Sequence, residues 1–175
     1  MAPQLVINIT SFSGKRCTGK TTAFNMMNSY LDNVKEFAFA YRVKIASAKK
    51  MCDGQVVDLS YDQVLEKLLS DREFKELHRH WMIEIGNGGR AKNPDVWVSQ
   101  TCEEIKSLIQ DLKLSGATGQ FHFCITDMRF KNEYHYVKRF FSDLLELFQS
   151  DPTNQSTINI NFFRLSSTDA VRISR

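Results

Sequence analysis

The segment with the clearest chemical pattern is a run of glycines and cations near the start of the sequence. It reads Gly14-Lys15-Arg16-Cys17-Thr18-Gly19-Lys20-Thr21 and fits the phosphate-binding pattern G-x-x-x-x-G-K-[ST]. Glycines allow backbone N–H groups to converge on phosphate oxygens, and a helix N-terminus adds partial positive charge. In this pattern the Lys20 ammonium binds the β- and γ-phosphates, and the Thr21 hydroxyl binds Mg²⁺. We therefore expect a nucleoside triphosphate to be held from Gly14 through Thr22.

A second Mg²⁺ ligand is predicted at Asp127. This residue follows the apolar run Phe121-His122-Phe123-Cys124-Ile125-Thr126, which is typical of a buried strand. A carboxylate at the end of such a strand suits the metal site of a phosphate-loop protein. The alternative interpretation is an aspartate that serves only the turn after the strand.

Further cations are candidates for neutralising phosphoryl charge. Lys15 and Arg16 lie in the loop with Lys20, and these three charges repel one another unless a dense anion is bound. Arg172 and Arg175 are three residues apart, so on a helix they share one face. That pair could close over the phosphates as a lid, or it could be a solvated helix end.

The elements that must position these residues alternate between strand and helix patterns. The predicted strands are residues 5–10, 36–43, 121–126 and 158–165, and the predicted helices are 22–31, 47–51, 95–114 and 134–148. Two capping boxes, Ser60 with Gln63 and Ser70 with Glu73, predict two more helices in series. The run Gly86-Asn87-Gly88-Gly89 is predicted to end the second of them.

This order of elements predicts an α/β fold, and the phosphate-binding loop within it predicts the P-loop NTPase type. We expect a three-layer sandwich with a mostly parallel sheet, helices on both faces and a ligand site at the carboxyl ends of the strands. We expect one domain over residues 1–175, with a helical insertion at about 44–114 that covers the site.

Composition limits the classes of partner. The 175 residues are 42% hydrophobic and 25% charged, and the net charge of +3 is too small to argue for nucleic-acid binding. No stretch approaches the ~18 apolar residues of a membrane span, and we expect no signal peptide before the first strand. The four cysteines lack C-x-x-C spacing, and Cys102 and Cys124 are expected to pack in the core as thiols. We expect a cytoplasmic protein that binds a phosphorylated small molecule; the oligomeric state stays open.

Several motifs together resemble P-loop kinases of small phosphorylated molecules. Phe12-Ser13-Gly14-Lys15-Arg16-x-x-Gly19-Lys20 is similar to the loop of animal-type phosphomevalonate kinases. Asp127-Met128-Arg129-Phe130-Lys131-Asn132-Glu133 resembles the D-x-R-F-x-N-E run of deoxynucleoside monophosphate kinases. The segment Gly86-x-x-Gly89-Arg90, followed by Asn93-Pro94-Asp95-Val96-Trp97-Val98, is similar to their acceptor side. Arg172-x-x-Arg175 resembles the start of their arginine lid.

The resemblance implies ATP- and Mg²⁺-dependent phosphoryl transfer to a phosphate-bearing acceptor. A (deoxy)nucleoside monophosphate is the preferred acceptor, and phosphomevalonate is the alternative. A second possible function is that of a nucleotide-binding relative that transfers no phosphate. A base stacked on Trp81 or Trp97 would favour the nucleotide, and a smaller polar pocket the mevalonate compound. The relatives also imply a lid that continues beyond Arg175, and many of them have an aspartate where Thr21 stands. The implied acceptor contacts are Arg42, Lys49, Arg90, Trp97 and Arg129.

Overall fold

The sheet of this protein has four strands and is entirely parallel. The structure is a computed structural model and describes residues 4–14, 18–149 and 156–165. The strands are β1 (Leu5–Ser13), β2 (Val34–Phe37), β3 (Gly119–Met128) and β4 (Thr157–Arg164). Their order in the sheet is β2-β3-β1-β4, and every neighbouring pair is parallel. The predicted α/β class with a parallel sheet is therefore confirmed.

Strand β1 is an inner strand of the sheet. Its carboxyl end therefore places the glycine loop in the middle of the edge at which the parallel strands end. Ser13 is in register with Met128 of β3 on one side and Arg164 of β4 on the other. The four residues from Ile9 to Phe12 are all buried. Since successive strand residues point to opposite faces, the sheet is covered on both faces at this point.

Seven helices lie within the described residues. They are α1 (Lys20–Tyr30), α2 (Phe39–Asp53), α3 (Tyr61–Ser70), α4 (Arg72–Leu77), α5 (Arg79–Lys92), α6 (Val96–Leu114) and α7 (Lys131–Gln149). The chain forms two compact units. One contains the sheet and comprises the described residues up to Ala38 and from Thr101 onward, and the other is helical and spans Phe39–Gln100. The expected single domain with an insertion at about 44–114 stays a prediction.

The predicted second strand is wrong over most of its length. Strand β2 ends at Phe37, and α2 begins at Phe39 and includes the segment expected to open a helix only at Ser47. Phe39, Val43 and Ser47 are buried at a spacing of four, which is the periodicity of a helix face. A short apolar run does not by itself distinguish a strand from a buried helix, and here the helix face is the one that packs.

The two predicted capping boxes have different outcomes. The Ser60 N–H donates to Gln63 Oε1 at 3.0 Å and the Gln63 N–H donates to Ser60 Oγ at 3.4 Å, so the first box is confirmed. The second is wrong, because Asp71 caps α4 by accepting the Phe74 N–H at 3.0 Å. That hydrogen bond holds the pKa of the Asp71 carboxyl below its usual value. Ser70 instead ends α3.

The predicted helix break at residues 86–89 is also wrong, because all four residues lie inside α5. A Cβ added at Gly89 would clash with the indole ring of Trp97, and one at Gly86 would lie 3.6 Å from Val43. These two glycines are therefore sites where other side chains approach the helix closely. The elements from α6 to β4 are confirmed with small shifts of their ends.

Candidate functional site

The glycine loop joins the end of β1 to the start of α1, as predicted, and its first glycine is held in a narrow space. Gly14 has φ +145°, and an added Cβ would lie 2.5 Å from the Leu165 carbonyl oxygen and 2.7 Å from Thr18 Oγ1. Gly19 has a left-handed conformation with φ +86° immediately before α1. Both positions therefore require glycine, the first for space and conformation and the second for conformation. Lys15, Arg16 and Cys17 lie outside the described residues.

The lysine of the motif folds across this loop. Lys20 is the first residue of α1, and its Nζ donates to the Gly14 carbonyl oxygen at 2.9 Å and to Thr18 Oγ1 at 3.3 Å. The ammonium group is therefore held between the first glycine of the motif and the threonine that precedes the second. The first turn of α1 contains no acidic residue, so no carboxylate within that turn competes for its N–H groups and positive dipole end. Thr21 and Thr22 are exposed on that turn.

Asp127 lies at the same edge of the sheet as the loop. Strand β3 continues one residue beyond Asp127 to Met128, and Met128 is in register with Ser13. The Asp127 side chain is half-buried. The parallel sheet thus aligns the carboxyl ends of β1 and β3, and the role of Asp127 as a Mg²⁺ ligand stays a prediction.

A cavity of about 650 Å³ opens beside the start of the loop. Its wall includes three cations, Arg129, Lys131 and Arg164, and none of the lining residues that the structure describes is a carboxylate. Tyr134 and Phe162 form part of the apolar wall and pack edge to face with ring centroids 4.8 Å apart. A concave surface with several cations and few competing acids suits an anionic ligand. The remaining lining residues are Ser13, Gly14, Met128, Phe130 and Phe163.

Among the residues of this wall, the sequence assigned a role in the site to Gly14 and Arg129. Ser13, Met128, Phe130 and Lys131 entered only as members of the motif runs. Arg164 is the last residue of β4 and therefore stands at the carboxyl edge, where a ligand site is expected in a parallel sheet. The position of Arg164 at the end of a predicted strand was the signal in the sequence that could have identified it. Lys131 and Tyr134 could not be assigned in the same way, because their place depends on where α7 begins.

Four of the predicted acceptor contacts belong to the helical unit. Arg42 is half-buried and Lys49 exposed on α2, and Arg90 is half-buried on α5 with Nη1 donating to the Gly86 carbonyl oxygen at 3.2 Å. Trp97 is 7% exposed and donates its indole N–H to the same oxygen at 3.0 Å. The Trp97 ring also lies against Gly89. Helix packing therefore uses this indole ring.

Lys49 and Trp81 line a separate cavity of about 480 Å³ in the helical unit. Lys50 lies over the Trp81 ring, with Nζ 4.9 Å from the ring centroid, and pairs with Glu84 at 2.7 Å. One neighbour of the Trp81 ring is therefore a cation fixed by a carboxylate. Arg172 and Arg175, the predicted lid arginines, lie outside the described residues.

Cys102 and Cys124 pack as thiols, as expected. Burial raises the pKa of the Cys124 thiol to about 11 and raises that of Cys102 as well. Both side chains are fully buried. Burial also lowers the pKa of the half-buried His122 imidazole. These groups are therefore uncharged near neutral pH, and none of the three lines the basic cavity.

The fold and the site suit a ligand that carries phosphate. A parallel α/β sheet whose central strand ends in a glycine-and-lysine loop, beside a basic cavity, has what a phosphate-binding protein requires. The sequence profile of phosphomevalonate kinases matches residues 12–143, from the end of β1 into α7, and the chain belongs to this family. No curated protein matches the chain. None of the helices among the described residues combines the length and apolarity needed to cross a membrane.

Membership of this family implies a kinase whose acceptor already carries a phosphate. It favours the alternative acceptor, phosphomevalonate, over the nucleoside monophosphate that the sequence motifs led us to prefer. The match ends before β4, so Arg164 and the cavity wall that it supplies are described by the structure alone.

Proposed function

We propose that this chain transfers the γ-phosphoryl group of ATP to phosphomevalonate. The observation that carries the proposal is the family match over residues 12–143. In this reaction an oxygen of the acceptor phosphate bonds to the γ-phosphorus as the bond to the ADP oxygen breaks. The acceptor phosphate is already ionised near neutral pH, so the reaction needs no general base.

The loop supports the ATP side of the proposal. The tight space at Gly14, the left-handed Gly19 and the N-terminus of α1 suit a bound phosphate chain. Lys20 would exchange its bonds to the loop for the β- and γ-phosphates, and Lys15 and Arg16 would neutralise further charge. Thr21 and Asp127 offer a hydroxyl and a carboxylate, the hard oxygen ligands that Mg²⁺ takes beside nucleotide phosphates. Mg²⁺ would offset charge on the transferring group.

The acceptor side rests on Arg129 and its basic cavity. A bidentate guanidinium is the side chain best shaped for a phosphate. The buried ring of Trp97 supports the smaller acceptor, because helix packing uses the indole that a nucleobase would need for stacking. Arg42, Lys49 and Arg90 stay predictions for acceptor binding, and Arg172 and Arg175 stay predictions for the lid.

A coupled ADP-release assay with a panel of acceptors tests the proposal. We expect Mg²⁺-dependent turnover with phosphomevalonate and only background turnover with the common nucleoside monophosphates. The Lys20→Ala variant should lose transfer by about 100-fold or more, because it removes a charge that acts on the transferring group. Lys138→Ala, which removes an exposed lysine on α7, is the matched control and should behave as wild type.

Two results would reject the proposal. Turnover with a nucleoside monophosphate and none with phosphomevalonate would restore the acceptor that the sequence motifs preferred. ATP binding by calorimetry without transfer to any phosphorylated acceptor would favour a nucleotide-binding relative that has no turnover.

A further inference from the structure

The carboxyl group of Glu133 is buried beside the cavity. Its side chain is on the first turn of α7, and the residue is 4% exposed. Among the described residues it is the only aspartate or glutamate with so little exposure. Since a buried carboxylate is costly unless hydrogen bonds compensate for the lost water, the function of this group is to be sought in the bonds that it accepts.

One oxygen of Glu133 accepts two successive backbone N–H groups. Oε2 lies 2.7 Å from the Arg129 nitrogen and 2.9 Å from the Phe130 nitrogen. Hydrogen bonds to an ionised carboxylate are shorter and stronger than those between neutral groups. The positive end of the α7 dipole also favours a negative charge at this turn. The carboxylate therefore fixes the backbone of the whole two-residue link between β3 and α7.

That link carries a cation of the basic cavity. Arg129 and Phe130 both line the cavity together with Ser13 and Gly14. The Arg129 side chain is exposed, so packing in a core does not fix its position. Its backbone must therefore determine where the guanidinium group can reach. Asp127, the predicted Mg²⁺ ligand, is two residues before Arg129 and precedes the same link.

We infer that Glu133 is a positioning residue for phosphoryl transfer: its carboxylate holds the Arg129–Phe130 backbone so that the Arg129 guanidinium faces the phosphate of the acceptor. The inference rests on the proposed function. A positioning role for Glu133 differs from the role of a simple helix cap in one respect. A cap stabilises α7, whereas a positioning residue also sets the affinity for the acceptor.

The experiment compares four variants of the whole chain. Glu133→Ala removes the oxygens that accept the two backbone hydrogen bonds, and Glu133→Gln keeps one oxygen without the charge. Arg129→Ala is the reference for loss of the guanidinium group. Val137→Ala is the stability control, because Val137 is fully buried one turn further along α7 and outside the cavity wall. For each variant we would measure the denaturation midpoint, KM for ATP, and kcat/KM for phosphomevalonate.

We expect the Glu133 variants to lose efficiency with phosphomevalonate while their KM for ATP stays nearly unchanged. In Glu133→Ala, kcat/KM for phosphomevalonate should fall about 10- to 100-fold, as in Arg129→Ala, because the guanidinium is misplaced. KM for ATP should stay within about twofold of wild type. Glu133→Gln should recover part of the loss. Val137→Ala should lose stability without this difference between the two substrates.

Two results would overturn the inference. One is a loss of kcat/KM in Glu133→Ala that is fully explained by its lower denaturation midpoint, as in Val137→Ala. The other is a wild-type value of kcat/KM in both Glu133 variants. If the wild-type protein transfers no phosphate, the proposed function fails separately. Glu133 is then judged by titration with inorganic phosphate, and unchanged affinity in Glu133→Ala would reject the positioning role.

Discussion

Two groups of glycines in this protein have opposite structural purposes. Gly14 and Gly19, in the loop after β1, have positive φ angles of 145° and 86°. Gly86 and Gly89 lie inside α5 with ordinary helical backbone, and their value is the small volume that admits Trp97, Val43 and Arg90. The loop glycines therefore give the backbone a conformation that other residues rarely adopt, and the helix glycines make room for packing. Substitutions in the first group should damage function, and those in the second should damage stability.

The largest effect is expected at Gly14. Gly14→Ala would place a methyl group 2.5 Å from the Leu165 carbonyl oxygen, and the Leu165 N–H is itself bonded to the Ser13 carbonyl oxygen at 2.8 Å. Because that neighbour is backbone and cannot rotate away, the loop must move. We expect kcat/KM for ATP to fall about 100-fold or more, measured by steady-state kinetics.

Gly116→Ala is the matched control for this substitution. Gly116 has φ +69° in the turn between α6 and β3, and an added Cβ would meet nothing within 4 Å. The variant should therefore lose about 1 kcal/mol of stability through backbone strain while keeping wild-type kinetics. Equal kinetic losses in Gly14→Ala and Gly116→Ala would show that strain alone, and not the shape of the loop, explains the effect.

A smaller effect is expected at Gly89. Gly89→Ala would press a methyl group into the Trp97 ring, with Cε2 2.9 Å away. The overpacked α5–α6 contact should cost about 1–3 kcal/mol in the free energy of unfolding, measured by chemical denaturation. In the double variant with Trp97→Ala the cost of the methyl group should largely disappear. An unchanged unfolding midpoint in Gly89→Ala would contradict the packing role.

The smallest effect is expected one residue earlier and has the opposite sign. Gly88 is exposed within α5, and a Cβ there would meet nothing within 4 Å. Gly88→Ala should therefore stabilise the protein by about 0.5–1 kcal/mol, because alanine has the higher helix propensity. Destabilisation would show that α5 does not hold this segment in solution, and the predicted helix break would then be correct.

The sequence was sufficient for the loop because the motif is local. Gly14, Gly19 and Lys20 have fixed spacing, and the apolar strand before them and the helix after them are visible in the same short segment. The parallel sheet followed from the alternation of elements. Neither inference needed a contact between distant residues.

The wrong predictions concern features that a local pattern does not reveal. The run at residues 86–89 was predicted to break a helix because nothing local reveals that Trp97, eight residues beyond Gly89, packs on it. The start of α2 was missed because its buried face shows only at a spacing of four. Arg164 was missed although its position near a predicted strand end was a local signal, because its place in the cavity wall follows from the register of β4 with β1. Each of these features depends on tertiary packing.

The most direct test of the central claim is the identity of the product. ³¹P NMR of wild-type protein with Mg²⁺, ATP and phosphomevalonate should show ADP and a new diphosphate ester growing together. The Lys20→Ala variant, still folded by circular dichroism, should show neither. Appearance of ADP with inorganic phosphate and no diphosphate ester, or equal product formation by the Lys20→Ala variant, would contradict the account.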